Sequence, residues 1–377
     1  MSSTSERWFG AGHSTAADSA KAGAEAAAAA IAGRTPAAVF VFTSGGHDPA
    51  AMEAAVRELV RAEASGAVVV TGTGFGELSP AGATEHGVAV AAFGGPGFTV
   101  RAHTADVGAL GARAAGAEAA TAMTEMMAEV DAHHSVLLLL ADGEALGPHE
   151  IVRGAYSVVG AAVPLVGGLT TGGSGRVVGV AIGSDRPIGI GVAHGWRPAE
   201  PPLVVTRATG GRIYEFDGEP ALDVLLRRRG VTGTAADLFQ GGIELCPVGL
   251  ARRTGLDIRS LHGGDDEERS VFGTAEIQQG ALVWLMEAER DELVAGGPAA
   301  LRAAVDGLQG AEPLGALAFD CGGRKLTLGE GGTAAEVAAM RAALGRPFAG
   351  FYTLGEIARI RGAAGLHQLT LVALALA

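Results

Sequence analysis

GALAFDCGGRKLTLGE (Gly315–Glu330), AAEVAAMRAALG (Ala334–Gly345), RPFAGFYTLGEI (Arg346–Ile357) and LHQLTLVALALA (Leu366–Ala377) close this 377-residue chain. The pattern predicts strands over Gly315–Phe319, Phe348–Tyr352 and Leu369–Ala377, with a helix between the first two. Apolar runs of strand length bounded by Gly-rich turns favour strands, and the longer Ala/Glu/Arg stretch favours a helix. Polar groups gather where the strands end: Asp320, Cys321 and Arg324 after the first, Thr353 and Glu356 after Tyr352, and His367 ahead of the last. Strands hold side chains firmly, so such a cluster is a candidate ligand pocket.

The same order occurs twice upstream. Ala37–Phe42, a loop TSGGHDP, a helix Ala50–Ala64, a strand Ala67–Val70 running into TGTGFGEL, and His86–Phe93 form one copy. Val136–Leu140, the loop ADGEALGP, a helix His149–Gly160, Val163–Val166 ending in GGLTTGG, and Val177–Ile182 form another. The expectation is an α/β (α+β) protein in two parts. It holds about three related strand–loop–helix–strand–strand units, with sheets covered by Ala-rich helices. Pro198, Pro201, Pro202 and the turn Asp217–Pro220 mark the break, giving domains at 5–205 and 206–377.

Composition narrows the function. Hydrophobic residues are 48% of the chain and charged ones 18%, which suits a globular core and not a disordered chain. A net charge of −13 argues against nucleic acid as partner, since phosphates demand clustered Lys and Arg. Two distant cysteines, Cys246 and Cys321, make neither a disulfide framework nor a zinc site. With no signal-peptide pattern and no apolar run of about 20 residues, the expectation is a cytoplasmic protein without membrane insertion. No HExxH or other metal spacing occurs, so no metal is expected.

The cluster's chemistry leaves alternatives open. Arg324 can hold a carboxylate through its planar fork, with Tyr352 and His367 orienting the ligand and Cys321 walling the pocket. It can equally form a structural ion pair with Glu356. Glu77 (in GTGFGE) and Glu356 (in GFYTLGE) take equivalent places in two copies. They either meet as a carboxylate dyad or each accepts N–H bonds from its own turn. Near the N-terminus, Gly10, Gly12, Ser14 and Thr15 precede a helix. They form either an anion cradle or a turn with a Ser14 or Thr15 cap.

These motifs together resemble the FIST family of bacterial sensory input domains, which have an N-terminal FIST part followed by a C-terminal one. They are GAGHST at Gly10, the GE of Glu77, HGW at His194, DGEPA at Asp217, CGGR at Cys321, GEIA at Gly355 and HQLT at His367. The likeness spans Trp8 to Ala377, with two departures. Thr73 stands where a cysteine is common, and the loop after Gly168 is short. The resemblance implies a stand-alone sensory protein of signal transduction. It would bind a small molecule such as an amino acid near the junction of its two domains, with a signalling output protein as possible partner. The candidate ligand-binding residues are Arg324, Cys321, Glu356, Tyr352, His367 and Glu77, and none is catalytic. No cofactor is required on this reading. An alternative is a haem-binding nitric-oxide sensor with His194 or His367 axial. Another is an enzyme acting on a small carboxylate with Cys321 or Glu356 as reactive group.

Overall fold

The computed structural model describes residues 6–63, 66–144, 147–240, 245–252, 255–273, 276–360 and 365–377. They form two compact units. The larger comprises Met1–His194, Leu293–Leu366 and Thr370–Ala377, and the smaller Gly195–Glu292 and His367–Leu369.

Three copies of one motif build the larger unit. The first runs β1 (Trp8–Ser14), α1 (Ser19–Ile31), β2 (Ala38–Ser44), α2 (Pro49–Glu63), β3 (Val68–Gly74), β4 (Glu77–Ser79), β5 (Gly82–Thr84) and β6 (Val88–Gly94). The second runs β7 (Phe98–Asp106), α3 (Val107–Leu110), α4 (Ala112–Ala119), α5 (Thr121–Glu129), β8 (His134–Asp142), α6 (Pro148–Val159), β9 (Leu165–Thr170) and β10 (Arg176–Ser184). The third opens with β11 (Ile188–Ala193) and is then interrupted by the whole of the smaller unit.

Within that unit lie β12 (Arg197–Pro198), β13 (Leu203–Thr209), β14 (Arg212–Phe216), β15 (Glu219–Pro220), α7 (Ala221–Arg229) and α8 (Ala235–Phe239). They are followed by β16 (Cys246–Arg252), β17 (Gly255–Asp265), β18 (Ser270–Gly273) and β19 (Leu282–Glu287). Its strands pair antiparallel, and β19 bonds both β13 and β16, which closes the sheet on itself around a core of its own. The third copy then resumes with α9 (Arg290–Asp306), β20 (Gly315–Cys321), α10 (Gly322–Leu344), β21 (Phe348–Thr353), β22 (Glu356–Arg359), β23 (Gly365–His367) and β24 (Leu371–Leu376).

Each copy orders its strands first–fourth–second–third: β1-β6-β2-β3, β7-β10-β8-β9 and β11-β24-β20-β21. Second and third strands are parallel, and the fourth runs antiparallel between first and second. The expected division near residue 205 differs from the packing. β11, before the break, pairs along its length with β24 at the other end of the chain, so Leu293–Leu366 and Thr370–Ala377 belong with the first two copies.

The continuous apolar runs reflect burial on both sheet faces. One face of all three sheets meets in a single core, where Phe42 stacks on Phe351 with centroids 5.1 Å apart and meets Phe319 edge-on. The opposite faces carry the helices. Gly10 and Gly12 lie inside β1, and a Cβ on either would strike the Ala30 or Ala26 carbonyl of α1. Gly189 and Gly191 of β11 stand in the same relation to Ala304 and Ala300 of α9. The N-terminal glycines thus serve close helix–sheet packing and not an anion cradle. Asp18, not Ser14 or Thr15, caps α1 by accepting from Lys21 N–H at 2.7 Å.

After each third strand the chain crosses to a neighbouring sheet. Phe75 N–H donates to Tyr352 O (2.8 Å), Leu354 N–H to Leu169 O (3.0 Å), and Thr171 N–H to Thr73 O (3.0 Å). From the first copy, β4–β5 then extends the third sheet beyond β21, and from the third copy, β22–β23 extends the second sheet beyond β9. The second copy turns within residues 171–175 directly into β10, and β3 remains the end of its sheet.

Candidate functional site

β20 and β21 end side by side, with Asp320 opposite Tyr352 and Cys321 opposite Thr353. α10 starts from Cys321, which places Arg324 one turn inward from Asp320. Arg324, Asp320, Glu336 and Tyr352 are all 0% exposed. Burying a guanidinium is costly unless its donors are met, and here they are. Nε–H donates to Asp320 Oδ1 at 2.8 Å, one Nη to His194 O, and the other to Leu293 O (3.0 Å) and Glu336 Oε1. Gly296 and Gly297 of α9 make the room: a Cβ on Gly297 would lie 2.8 Å from Glu336 Cγ, and one on Gly296 would lie 3.0 Å from an Arg324 Nη.

Two carboxyls share one cation, and burial dominates their titration. Desolvation raises Asp320 despite Arg324 alongside, and raises Glu336 well above the usual carboxylate range, with Asp320 adding to the effect. Arg324 itself is lowered by burial, but Asp320 and Glu336 outweigh that and hold it firmly charged. Asp320 Oδ2 and Glu336 Oε2 have no protein donor other than each other, and Tyr352 Oη meets no protein donor or acceptor. The two carboxyls hydrogen-bond to each other only when one keeps a proton, and burial raises the affinity of both for it. Tyr352 is likewise pushed well up by burial, with Asp320 and Glu336 adding to it.

Glu356 lies outside this knot. It is fully buried, and its Oε1 accepts from Thr353 Oγ1 (2.7 Å) and its Oε2 from Thr370 N–H (3.1 Å) and Oγ1 (2.8 Å). Burial pushes it up to about 8 against those bonds. The Arg324–Glu356 ion pair, one of the two alternatives left open by the sequence, does not form, because Asp320 and Glu336 take the guanidinium. Glu77 sits at the equivalent place in the first copy, its Oε2 accepting from Thr84 Oγ1 (3.0 Å) and Gly87 N–H (3.2 Å). Burial raises its pKa, opposed chiefly by Ser44 and Thr84. Each glutamate closes on the start of its own copy's fourth strand, so the two occupy parallel places and form no dyad.

Cys321, 6% exposed, donates its backbone N–H to Thr370 O. His194 ends the larger unit and gives Arg324 its carbonyl. His367 belongs to the smaller unit, with Nδ1 3.9 Å from Asp257 Oδ1. Sequence reasoning passed over Glu336, which stands in an ordinary-looking Ala-rich helix. The signal was there: a lone acid flanked by Ala335, Val337 and Ala338 on a face that must be buried.

The FIST N domain model matches residues 37–219 and the FIST C domain model residues 221–359. The chain belongs to the FIST family. FIST domains are associated with sensory signal transduction. Among curated proteins, the FIST chain is 28% identical over 392 residues to the uncharacterized protein Rv0628c of Mycobacterium tuberculosis, covering 96% of this chain and 97% of that protein. It is 31% identical over 233 residues to the uncharacterized protein Mb0898c of Mycobacterium bovis, covering 55% and 58%. Against solved structures, T. maritima PurL complexed with ATP aligns at a TM-score of 0.23 and 12% identity. That alignment spans 98% of this chain and 71% of PurL, a likeness too low to carry an argument. Among the described residues of this FIST protein, no helix is long and apolar enough to cross a membrane. None of its His, Cys, Asp and Glu residues gather as a metal-binding group among the described residues.

Proposed function

We propose that this FIST protein is a small-molecule-binding sensory protein, and that its recognition centre is the buried cluster of Asp320, Arg324, Glu336 and Tyr352. The single observation behind this reading is that, beside one buried guanidinium, the Tyr352 hydroxyl lacks a protein partner and Asp320 Oδ2 and Glu336 Oε2 have none but each other. Buried polar atoms are nearly always satisfied, so such a group calls for a ligand or ordered water. Perturbed titration and burial in one place mark functional sites more often than not.

The balance of charge selects the ligand. Arg324 is already occupied by two carboxylates and two carbonyls, so it positions the acids and does not itself grip a ligand carboxylate. Asp320 Oδ2 and Glu336 Oε2 are the groups left to accept, and a ligand ammonium, as on an amino acid, replaces the proton they share. Gly329 (φ 63°, ψ 177°) breaks α10 and isolates residues 322–328, which carry Arg324, as a separate short segment. Only glycine adopts that backbone readily.

A thermal-shift screen with the twenty amino acids, simple amines and carboxylates without an amine tests this. Compounds with an ammonium group raise the melting temperature of the wild type and not of Glu336→Gln. Stabilisation only by amine-free carboxylates would overturn the reading.

A further inference from the structure

We propose that the open edge of β3 is a docking site for an extended, acidic peptide segment of a partner protein, added antiparallel as a further strand. The internal repeat supplies the argument. The third strand of the third copy is covered by β4, and the third strand of the second copy by β22, both antiparallel. In each case a second bond locks the covering strand: Tyr352 N–H donates to Gly76 O (2.9 Å) and Leu169 N–H to Gly355 O (2.7 Å). At the first copy the chain supplies the initial crossing bond, Thr171 N–H to Thr73 O, and the Thr73 hydroxyl, not its backbone N–H, donates back to Thr171 O. Among the described residues no loop carbonyl takes the corresponding Thr73 N–H.

The reason is length. Thirteen residues (75–87) separate β3 from β6 and seventeen (354–370) separate β21 from β24, but only five (171–175) separate β9 from β10. The covering strand is missing, and its place is a cleft of about 640 Å³ between β3 and β7, each the last strand of its sheet. What fits there is what fills the two equivalent places, a strand. Asp142 faces Thr170 as Ser44 faces Gly74, so the stretch of β9 covered by β22, Leu165–Gly168, corresponds to Val69–Gly72.

In the parallel pairing with β2, Val68 N–H turns inward to Ala37 O, which leaves the backbone groups of Val69, Thr71 and Thr73 facing the cleft. An exposed edge of this kind is a template for strand addition. For now Arg57, itself paired with Glu53, covers it by donating to Val69 O at 2.8 Å. The lining carries Arg57, Arg101 and Arg176; Arg57 pairs with Glu53 and Arg101 with Glu129, which among the described residues leaves Arg176 as the cation open to an acidic strand in a chain that carries −13 overall. An incoming strand displaces Arg57 from Val69 O and offers it an acidic side chain in exchange.

The test uses the full chain and a panel of eight-residue, terminally blocked peptides alternating Val or Thr with Glu, read by fluorescence anisotropy and by amide exchange. Expected are saturable binding, slowed exchange at Val69 and Thr71, and at least about tenfold weaker binding when the peptide's edge-facing amides are N-methylated. Replacing residues 171–175 by a copy of residues 75–87 fills the cleft and abolishes binding. Arg176→Glu, a surface change that leaves the fold intact, weakens it about fivefold, the scale of one exposed charge contact. Several outcomes would overturn the proposal. They are no binding at millimolar peptide, binding indifferent to N-methylation, competition by free glutamate alone, or concentration-dependent protection of β3 without peptide, which assigns the edge to a second copy of this chain.

Discussion

Arg324 Nε–H donates to Asp320 Oδ1 at 2.8 Å across one turn of chain, with both side chains wholly withdrawn from solvent. The pair ties the end of β20 to the start of α10, and through Glu336 to the second half of that helix. A binding event that changes either acid is therefore felt by the whole helix.

Arg324→Ala strands two acids in the core. Removing one partner of a buried pair costs on the order of 3–5 kcal/mol, and urea denaturation measures it. Asp320 and Glu336 escape part of that cost by keeping protons, so the loss is smaller at pH 5 than at pH 8.

Glu356 sets a pH dependence with a definite sign. Its folded value of about 8 lies above the ordinary glutamate value of 4.5, so the folded state holds the proton more tightly. Its contribution is fully present below about pH 4.5 and declines as pH rises toward 8, by at most about 1.4 kcal/mol per pH unit. Glu356→Gln, which keeps the neutral shape, removes this slope from a stability–pH curve. An unchanged slope would show that Glu356 does not titrate in that window.

Tyr352→Phe deletes a buried hydroxyl that meets no protein partner. Its effect on stability is within about 1 kcal/mol of zero, while the thermal shift given by a bound ligand drops. A large destabilisation would instead mean that the hydroxyl is bonded in the ligand-free protein.

Gly297→Ala places a methyl 2.8 Å from Glu336 Cγ. Overpacking of this kind costs about 1–3 kcal/mol and displaces Glu336 from Arg324, so both melting temperature and ligand response fall.

The repeat was legible because strand and helix periods differ and because each copy restates them: GTGFGE and GFYTLGE mark the same crossing in two sheets. The crossing itself was not legible. That β4 leaves its own copy to pair with β21 depends on long-range packing, and no local residue preference encodes the exchange. The division at residue 205 differed for the same reason, since only the β11–β24 ladder reveals that the smaller unit interrupts the third copy. Arg324 was legible as a cation just past a strand end. Its pairing was not, because Glu356 likewise stands just past a strand end while Glu336 is hidden in alanines. The short loop after Gly168 was visible as a departure, and the structure converts it into an open strand edge.

Calorimetric titration of the ammonium compounds that pass the thermal-shift screen, in two buffers of different ionisation enthalpy at pH 7, tests the central claim most directly. If a ligand ammonium replaces the proton shared by Asp320 and Glu336, binding releases about one proton per site, tightens as pH rises, and is lost in Glu336→Gln. Binding without proton release that persists in Glu336→Gln would contradict the account and move the ligand away from this cluster.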